Sequence, residues 1–577
     1  MLPRTLAALL PPLLAAALAG CTTVPPPAGP VTVGIAAFND FHGNLEAPRM
    51  AVPIGDGHGG QASVPAGAAA WLGGTVAAVR GRYPNHLTLS AGDLIGASPL
   101  ASALFLDEPT IGVMNRIGLD FNAVGNHEFD AGVAELRRKQ VGGCRAYTEK
   151  QPCRLERFRG ARFGFLAANT VLAGDGRALF PGTALRSFGK GAGRVKIGLI
   201  GMTLRGTGAL VRADVSQAVR FADEAETANA LVGRLKAQGA DAVVVLVHEG
   251  GRPAGADPNS CDGLSGDIRP ILERLDPRVD LVISGHTHRA YVCGPIPGDP
   301  ARRFLLTSAG VAGTYVTDIA LEIDPRGHRV VARRAHNVVV QSEPFGAVPA
   351  SEAAPLAVPD AAIAAYVARY AAEARVLGGR IAGWLDAPLA KSAGLDGGPL
   401  GNLIADAQLA ATAGAGAQIA CTNPFGIRRG ITPGADHGVT YGELYLAQPF
   451  NSDLVTMTLT GAELLEALEQ QVDEGTPRQL LACSAGFSQT IDTARPSGQR
   501  VVTASLAGQP IDPAARYRVT VNSFLAGGGD SFTVFTRGRE RSVGVTDLAA
   551  LQAWLARRDP PRAASGEVRV TDLAAQR

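Results

Sequence analysis

The sequence predicts an α/β protein with at least two domains. Residues 240–247 and 279–284 are nearly continuous apolar runs, as expected for strands that are buried on both faces of a sheet. An amphipathic segment at 224–238 predicts a helix before the first of these strands. The chain has 577 residues, which is more than one ordinary hydrophobic core supports, so a second domain is expected.

The composition excludes two classes of protein. Hydrophobic residues make up 46% of the chain and the formal net charge is +2, which argues against a disordered chain and against a polyanion binder. The same balance of charges indicates no strongly basic face, so a nucleic-acid polymer is not an expected partner.

The first residues form a pattern typical of an export signal. Arg4 supplies a positive charge, and prolines interrupt the apolar run at 6–19, which is too short for a membrane-spanning helix. The run ends in Leu-Ala-Gly-Cys at 18–21, which resembles the lipobox of bacterial lipoproteins. We therefore predict a signal peptide at 1–20, acylation of Cys21 and a proline-rich tether at 21–30. The alternative is an ordinary cleaved signal followed by a chance cysteine.

The lipobox interpretation predicts an exported, periplasmic protein. Thr22 follows the cysteine, and a residue other than Asp at this position suggests anchoring to the outer membrane. The chain would then contact a membrane only through its N-terminal lipid.

Six further cysteines predict disulfide bonds, because paired cysteines are common in exported proteins. Six cysteines allow fifteen pairings, and the sequence does not choose among them. Nearest neighbours give the simplest set, which is Cys144–Cys153, Cys261–Cys293 and Cys421–Cys483. The spacing does not suggest a cysteine-ligated zinc site.

Polar side chains that can bind metals follow predicted strands at several places. Ligands bind at the carboxyl ends of strands in open α/β sheets, so we expect these side chains to meet. The candidates are Asp40, His42, Asp93, Asn126, His248, His286 and His288. Carboxylates, an amide and imidazoles suit Zn²⁺, Mn²⁺ or a similar ion such as Co²⁺, and disfavour Ca²⁺ or Mg²⁺ alone. Seven ligands are too many for one tetrahedral site and suit two metals that share one carboxylate.

Two of these motifs have ligands two residues apart. Side chains alternate between the two faces of an extended segment, so Asp40 and His42 are expected on one side, and so are His286 and His288. Beside Asn126, His127 followed by Asp130 offers a general acid and a carboxylate that orients its ring.

The order of these motifs resembles the calcineurin-like metallophosphoesterases. The motifs are D-x-H at 40–42, G-D at 92–93, G-N-H-E at 125–128, the strand-end His248 and G-H-x-H at 285–288. With its C-terminal motifs, the chain is similar to the bacterial periplasmic 5'-nucleotidase/UDP-sugar hydrolase family. The resemblance implies a four-layer α/β/β/α metallophosphoesterase domain at 31–343, a linker and connecting helix at 344–380, and a smaller α/β 5'-nucleotidase domain at 381–577.

The resemblance also implies a role for each motif residue in a site for two metals. Asp40, His42 and His288 would hold one metal, Asn126, His248 and His286 the other, and Asp93 would bridge them. His127 and Asp130 would form the catalytic dyad. Two divalent ions held about 3.5–4 Å apart lower the pKa of a bound water, which then attacks phosphorus in line with the leaving oxygen.

The C-terminal half contains motifs that match the family's nucleotide contacts. Phe450 and Phe524 match the aromatic pair that stacks on the base, and Asp530 matches the acceptor for the ribose hydroxyls. Asn423 and Arg428 match a pattern that touches the base or the phosphate end. The chain departs from the family at 394–399, where relatives often carry a basic residue, and at Phe425, where glycine is usual.

The predicted function is hydrolysis of nucleoside 5'-monophosphates, with nucleotide diphosphate-sugars as further candidates. A 2',3'-cyclic phosphodiesterase/3'-nucleotidase and a thiohydrolase of the same superfamily are alternatives, although a thiohydrolase would leave the phenylalanine pair without a purpose. A non-catalytic nucleotide-binding lipoprotein is a third alternative. The sequence gives no oligomeric state.

Overall fold

The computed structural model describes residues 29–55, 61–148, 150–211, 213–295, 299, 303–354, 357–472, 478–557 and 566–576. The predicted signal peptide, Cys21 and all but the end of the tether lie outside these residues. Across the described ranges, no helix is both long enough and apolar enough to cross a membrane.

The N-terminal part of the chain alternates strands and helices up to residue 378. Its strands are β1 (Val31–Phe38), β2 (Met50–Gly55), β3 (Gln61–Ala66), β4 (His86–Ser90), β5 (Phe121–Ala123), β6 (Gly164–Leu166), β7 (Thr170–Leu172), β8 (Thr183–Phe188), β9 (Val195–Thr203), β10 (Val219–Phe221), β11 (Ala242–His248), β12 (Leu281–Ser284), β13 (Ala290–Cys293), β14 (Leu305–Ala309), β15 (Tyr315–Asp324) and β16 (Arg329–Val339). Its helices are α1 (Ala69–Arg80), α2 (Leu100–Ala103), α3 (Glu108–Ile117), α4 (Val133–Val141), α5 (Thr207–Leu210), α6 (Ala213–Ala218), α7 (Glu224–Ala237), α8 (Ile268–Arg274) and α9 (Ala361–Gly378).

Two mainly parallel sheets form the centre of this part. The first has the strand order β16-β15-β1-β4-β5-β6, and the second has the order β13-β14-β12-β11-β9-β8. In the first sheet β1, β4, β5 and β6 run parallel, and in the second β9, β11, β12 and β14 do. Antiparallel strands complete both sheets at their edges.

Alternating side chains of these strands separate three apolar layers. Ile35 on β1 packs with Val244 on β11 in the layer between the two sheets. Phe38 on β1 points the other way and packs with Leu72 on α1. On the far side of the second sheet, β11 packs against helix α7 through Val232. The order is therefore helices, sheet, sheet, helices, and the predicted four-layer fold is confirmed.

The C-terminal part has its own sheets and helices. Its strands are β17 (Ile381–Trp384), β18 (Ile419–Thr422), β19 (Gly438–Thr440), β20 (Asp453–Thr460), β21 (Ala482–Cys483), β22 (Phe487–Ile491), β23 (Val501–Leu506), β24 (Gln509–Pro510), β25 (Arg516–Asn522), β26 (Arg539–Thr546) and β27 (Val570–Asp572). Its helices are α10 (Gly398–Thr412), α11 (Tyr441–Ala447), α12 (Gly461–Glu469), α13 (Ser523–Ala526) and α14 (Asp547–Leu555). The larger sheet has the order β21-β18-β25-β20-β26.

Helix α9 connects the two parts and packs on the first. Ile363 and Tyr370 of α9 share an apolar cluster with Leu72 of α1 and with Leu444 of α11. Arg375 of α9 also pairs with Glu46 at 2.9 Å. The C-terminal part is thus attached beside the carboxyl ends of the first sheet.

The described residues contain three disulfide bonds, and they join nearest neighbours in the sequence. The pairs are Cys144–Cys153, Cys261–Cys293 and Cys421–Cys483. Cys421 and Cys483 lie opposite each other where β18 pairs with β21. The simplest of the fifteen possible pairings is therefore the one that the fold contains.

Candidate metal centre and substrate cluster

Six of the seven predicted ligands form two groups at the carboxyl ends of parallel strands. Asp40, His42 and His288 make one group, and in it the ligand atoms all lie within 4.8 Å of one another. Asp93, His248 and His286 make the other, to the same limit. We call these six residues and Asn126 the metal centre.

Asp93 and Asn126 connect side chains within this centre. The Oδ2 atom of Asp93 lies 2.9 Å from Nε2 of His248 and 3.7 Å from Nε2 of His42, so it stands between the two groups. The amide oxygen of Asn126 lies 3.1 Å from a ring nitrogen of His248 and 3.1 Å from one of His286. The structure thus brings all seven predicted ligands together.

The local geometry of these ligands differs from the predicted one. β1 ends at Phe38 and β12 at Ser284, so the D-x-H and H-x-H motifs lie beyond the strands. The residues with left-handed backbones, at φ between 45° and 68°, are Asp40, His42, Asp93, His286 and His288. The expected extended segments were wrong, because the chain must turn back over the sheet edge to aim its side chains inward. Such conformations cost free energy in non-glycine residues and concentrate at functional sites.

Two side chains that hold the ligand loops were not predicted. Asn39 donates to the carboxylate of Asp40 at 2.6 Å and accepts from the backbone N–H of Ala309 at 2.7 Å. Glu128 is buried and accepts hydrogen bonds from three backbone N–H groups and one side chain. Those donors are Asp93 N, Leu94 N, Gly125 N and Asn122 Nδ2, at 2.7–3.1 Å. The G-N-H-E motif contained Glu128, but two of its partners, Asp93 and Leu94, are 35 and 34 residues away in sequence.

Backbone carbonyls orient two of the ligand imidazoles. Nδ1 of His42 lies 2.9 Å from the Gly96 oxygen, and Nδ1 of His248 lies 2.8 Å from the Ala91 oxygen. A hydrogen bond from Nδ1–H orients each ring so that its Nε2 is the nitrogen available to a metal once it carries no proton.

Two glycines keep space free beside the ligands. A Cβ atom on Gly125 would lie 2.2 Å from Oδ1 of Asp93, and one on Gly92 would lie 2.6 Å from Nδ1 of His248. Gly92 also has φ of 97°, which favours glycine. Larger residues at either position would displace a ligand.

The pKa values of most of the ligand imidazoles favour the neutral form, which can bind a cation. Burial lowers the pKa of His42 and of His286 to about 3, and it also lowers the pKa of His288. Burial would lower the pKa of His248 as well, but the neighbouring Asp93 carboxylate raises it to about 10. Three of the four rings are therefore neutral at pH 7, as metal ligands must be.

The donor set fits divalent cations. Nε2 of His42 and Nε2 of His288 approach to 3.1 Å, so two electron-pair donors point at one place beside the Asp40 carboxylate. Mixed imidazole, carboxylate and amide donors are typical of Zn²⁺, Mn²⁺ and similar ions. Among the described residues, these are the two groups of side chains that could hold a metal ion.

The predicted dyad adjoins the metal centre. Nδ1 of His127 lies 2.9 Å from Oδ2 of Asp130, and the backbone N–H of His127 donates to Asp93 at 2.9 Å. The His127 and His42 rings meet edge to face, with centroids 5.1 Å apart. Burial would lower the pKa of His127, but Asp130 and Asp93 together raise it. The ring is therefore suited to donate a proton near neutral pH.

Two of the predicted nucleotide contacts reach the dyad from the C-terminal part. We call Asn423, Arg428, Phe450, Phe524 and Asp530 the substrate cluster. The Phe450 ring stacks on His127 with centroids 5.9 Å apart and an angle of 14° between their planes. The guanidinium carbon of Arg428 lies 5.9 Å from the centre of the Phe450 ring. Burial lowers the pKa of Arg428, whereas the negative charges of Asp130, Asp93 and Asp530 raise it. The Arg428 cation therefore interacts with carboxylates of the dyad, the metal centre and the substrate cluster.

The other members of the substrate cluster lie around Asp530, which is hydrogen-bonded to Asn423. The Asp530 carboxylate accepts from Asn423 at 2.9 Å and from Gln479 at 2.5 Å. Asn522 donates to the oxygen of Asn423 at 3.0 Å. The Phe524 ring lies over Gly529, where a Cβ atom would come within 2.6 Å of it. Gln479 and Asn522 were not predicted, since no motif marks them.

Family models match both parts of the chain. The model for calcineurin-like phosphoesterases matches residues 34–290, which contain the whole metal centre and the dyad. The chain belongs to the calcineurin-like phosphoesterases, a family of metal-dependent phosphoester hydrolases. In this phosphoesterase, residues 382–537 match the model for the 5'-nucleotidase C-terminal domain.

Similar proteins support the same assignment. A crystal structure of a 5'-nucleotidase precursor from Thermus thermophilus is 28% identical, with a TM-score of 0.71, and covers 94% of this chain and 99% of its own. An uncharacterized protein in the pqq-V 5' region of Acinetobacter calcoaceticus is 49% identical over 162 residues, or 27% of this chain and 79% of that protein. Endonuclease YhcR of Bacillus subtilis strain 168 is 28% identical over 94% of this phosphoesterase, which spans only 41% of YhcR.

Proposed function

We propose that this protein hydrolyses nucleoside 5'-monophosphates to nucleoside and inorganic phosphate, with two divalent metal ions as cofactors. The supporting observation is the place where the two parts of the chain meet. Phe450, from the region that matches the 5'-nucleotidase C-terminal domain, has its ring centroid 5.9 Å from that of His127, and the guanidinium carbon of Arg428 lies 5.9 Å from the centre of the Phe450 ring. A phosphate at the metal centre and a base near Phe450 would then belong to one small molecule.

Two bound divalent ions supply the charge that neutralises a phosphate dianion and activates a water. The first ion would have Asp40, His42 and His288 as ligands. The second would have Asn126, His248 and His286, with Asp93 shared by both. The Asp40 and Asp93 carboxylates neutralise only two of the four positive charges, and the remainder suits an anionic substrate.

The dyad would assist the leaving group. As the P–O bond breaks, negative charge grows on the leaving oxygen of the nucleoside. His127, whose pKa is raised by Asp130 and Asp93 against the effect of burial, would donate a proton or hydrogen bond to that oxygen. Asp130 would hold the ring by its hydrogen bond to Nδ1.

The substrate cluster would choose the nucleoside. Phe450 is 36% exposed, so a base has access to its ring. Stacking tolerates any base, and each stacked ring is worth about 1–3 kcal/mol. Asp530 would accept from the ribose hydroxyls, and Asn423, Phe524 and Arg428 would complete the contacts. Arg428 would take over the phosphate-end role for which 394–399 contain no arginine.

The proposal also includes the boundaries of the domains and the cellular location of the protein. We assign the metallophosphoesterase domain to 31–343, the linker and connecting helix to 344–380, and the substrate-binding domain to 381–577. The protein would act outside the cytoplasm, in the periplasm, with a lipid on Cys21 as its anchor.

A substrate panel tests the proposal. The metal-free protein is reconstituted with Mn²⁺, Co²⁺ or Zn²⁺ and offered AMP, UDP-glucose, 2',3'-cAMP and phenyl phosphate, while loss of each substrate and formation of its products are followed by chromatography. We expect AMP to have the highest kcat/KM. A preference for 2',3'-cAMP would instead indicate the cyclic phosphodiesterase, and metal binding without turnover of any ester would indicate a non-catalytic protein. Equal rates for AMP and phenyl phosphate would contradict the proposed role of the substrate cluster.

A further inference from the structure

One buried glutamine connects two parts of the substrate cluster without belonging to it. Gln479 is fully buried and lies three residues before β21. Its Nε2 atom donates to Oδ2 of Asp530 at 2.5 Å, and its Oε1 atom accepts from the backbone N–H of Phe425 at 3.2 Å. A backbone N–H needs an acceptor, so this contact fixes which end of the side-chain amide faces Asp530. The end that faces the carboxylate is the donor.

The Asp530 carboxylate is held through one of its two oxygens. Asn423 donates to the same oxygen as Gln479, Oδ2, at 2.9 Å. Among the residues that the structure describes, no hydrogen bond reaches the other oxygen, Oδ1. Asp530 is buried, and its backbone is left-handed with φ of 51°. Two amide donors therefore fix the plane of the carboxylate and leave Oδ1 as the acceptor for a ligand.

The same hydrogen bonds favour the charged form of Asp530. Burial raises the pKa of the Asp530 carboxyl, whereas the hydrogen bonds from Gln479 and Asn423 and the charge of Arg428 lower it. The bond from Gln479 is the largest of the effects that lower this pKa. An ionised carboxylate accepts hydrogen bonds and donates none, so it suits the hydroxyl groups of a sugar.

The segment that carries Gln479 is fixed on both sides. The backbone N–H of Gln479 donates to the Gln471 oxygen at 3.1 Å. Further along, the disulfide Cys421–Cys483 joins β21 to β18, the strand that leads to Asn423. The two amides that hold Asp530 thus come from two segments that a disulfide bond connects.

We propose that Gln479 is a positioning residue for sugar recognition: its amide ties the Asp530 carboxylate to the turn at Pro424–Gly426, so that Oδ1 accepts from a ribose hydroxyl. The inference rests on the proposed function and names a residue that makes it selective for ribose. Without the amide, the carboxylate would keep only the bond from Asn423 and could rotate. Ribose recognition would weaken, while the metal centre and the dyad would stay as they are.

The metal-loaded, full-length protein tests this with AMP and with 2',3'-dideoxy-AMP, which lacks both ribose hydroxyls. Gln479→Leu removes both hydrogen bonds of the amide at nearly the same volume. Gln489→Leu is the matched control, because Gln489 is another buried glutamine of the same part of the chain. Its side chain bonds to Gln471 and to the Leu481 oxygen, and not to Asp530.

The wild type should prefer AMP, because a site built to bind a hydroxyl rejects an analogue that lacks it. We expect Gln479→Leu to raise KM for AMP about tenfold with kcat within about twofold, since a hydrogen bond to a charged group is lost. Its KM for 2',3'-dideoxy-AMP should change by less than about twofold. Gln489→Leu should keep the preference of the wild type. Equal losses on both nucleotides, or an unchanged preference in Gln479→Leu, would overturn the inference.

A double-mutant cycle tests whether Gln479 acts through Asp530. Asp530→Asn removes the charged acceptor, so adding Gln479→Leu to it should raise KM for AMP no further. Independent, additive losses would contradict the proposed role.

Calorimetric binding of adenosine and 2',3'-dideoxyadenosine separates this inference from the proposed function, because it needs no turnover. Weaker binding of adenosine alone by Gln479→Leu would support the inference, whether or not AMP is hydrolysed. Hydrolysis of AMP by a wild type that binds both nucleosides equally would overturn the inference and leave the phosphoesterase reaction in place.

Discussion

In the metal centre Asp40 and His248 are fully buried, whereas in the substrate cluster Phe450 is 36% exposed and the adjoining Phe425 is 43% exposed. The metal ligands stand directly after parallel strands, and buried partners such as Asn39 hold them. Of the substrate residues, Phe524 lies in α13 and the others lie on loops or short turns, where Asn423 and Asp530 are buried as well. An exposed side chain on a loop tolerates change better than a buried, hydrogen-bonded one.

This difference indicates how the two functions of the molecule are divided. In the proposed function, the reaction would depend on side chains whose positions the sheet edges determine. Substrate choice would depend in part on exposed side chains such as Phe450, which can change without disturbing those sheets. Variants in the metal centre should therefore affect every ester, and variants in the substrate cluster should affect only nucleotides.

The largest effect should come from Asp93→Asn. Asp93 stands between the two ligand groups, so the variant removes the charge that both metals would share. Turnover of AMP and of phenyl phosphate should both fall by roughly 10³-fold or more, because metal ions stabilise transition-state charge by several kcal/mol. Metal content is measured by mass spectrometry alongside the rates. Full metal content with normal rates would contradict the assignment.

The second-largest loss of turnover is expected from His127→Ala. If the dyad supplies general acid catalysis as proposed, kcat should fall by about 10²- to 10⁴-fold while both metals remain bound. The loss should be larger for AMP than for p-nitrophenyl phosphate. His336→Ala, at an exposed histidine of β16, is the matched control and should behave like the wild type. Normal AMP hydrolysis by His127→Ala would remove the dyad from the mechanism.

Gly125→Ala tests the packing around the metal centre. Its Cβ atom would lie 2.2 Å from Oδ1 of Asp93, so the carboxylate must move. We expect metal affinity to fall about 10- to 100-fold, as for other changes that misplace a ligand. The matched control is Gly414→Ala, because Gly414 lies in open space just beyond the end of α10. Gly143 is unsuitable, because its φ of 104° would strain any other residue. Equal metal affinities in the two variants would count against this account of the site.

Phe450→Ala tests the difference between the two regions, because it changes the substrate cluster and no residue of the metal centre. Loss of one stacked base is worth about 1–3 kcal/mol, so kcat/KM for AMP should fall roughly 5- to 150-fold. The rate with p-nitrophenyl phosphate should stay close to that of the wild type. A parallel loss on both esters would show that Phe450 supports His127, on which it stacks, and does not select a base.

The last prediction concerns pH and metal binding. In the metal-free protein the pKa of His248 is raised to about 10, so this ring holds a proton at neutral pH that a metal must displace. Metal affinity should therefore increase with pH, about tenfold per unit for each proton released. Calorimetry in buffers of different ionisation enthalpy counts the protons. Affinity that is independent of pH between 7 and 9 would contradict this picture of the site.

Much of the metal centre could be predicted because each ligand follows an apolar strand. A buried parallel strand is evident from the sequence, and the sheet then brings distant strand ends together. The left-handed backbones of Asp40 and His286 could not be predicted, since they depend on how the loops return over the sheet edge. The hydrogen bonds to Glu128 from the backbone N–H groups of Asp93 and Leu94 were missed for the same reason.

The substrate cluster was harder to predict from residue types alone. Phe450 and Phe524 are found by motif resemblance, because an isolated phenylalanine is more often part of a core. Gln479 escaped notice although it donates to Asp530, since it lies 51 residues away and in no motif.

The most direct test of the account is a titration of the metal-free protein with Mn²⁺ while AMP hydrolysis is followed. Two ligand groups with Asp93 standing between them predict that phosphate release rises with added metal and reaches its maximum at two ions per chain. Saturation at one ion, or bound metal without any release of phosphate from AMP, would contradict it.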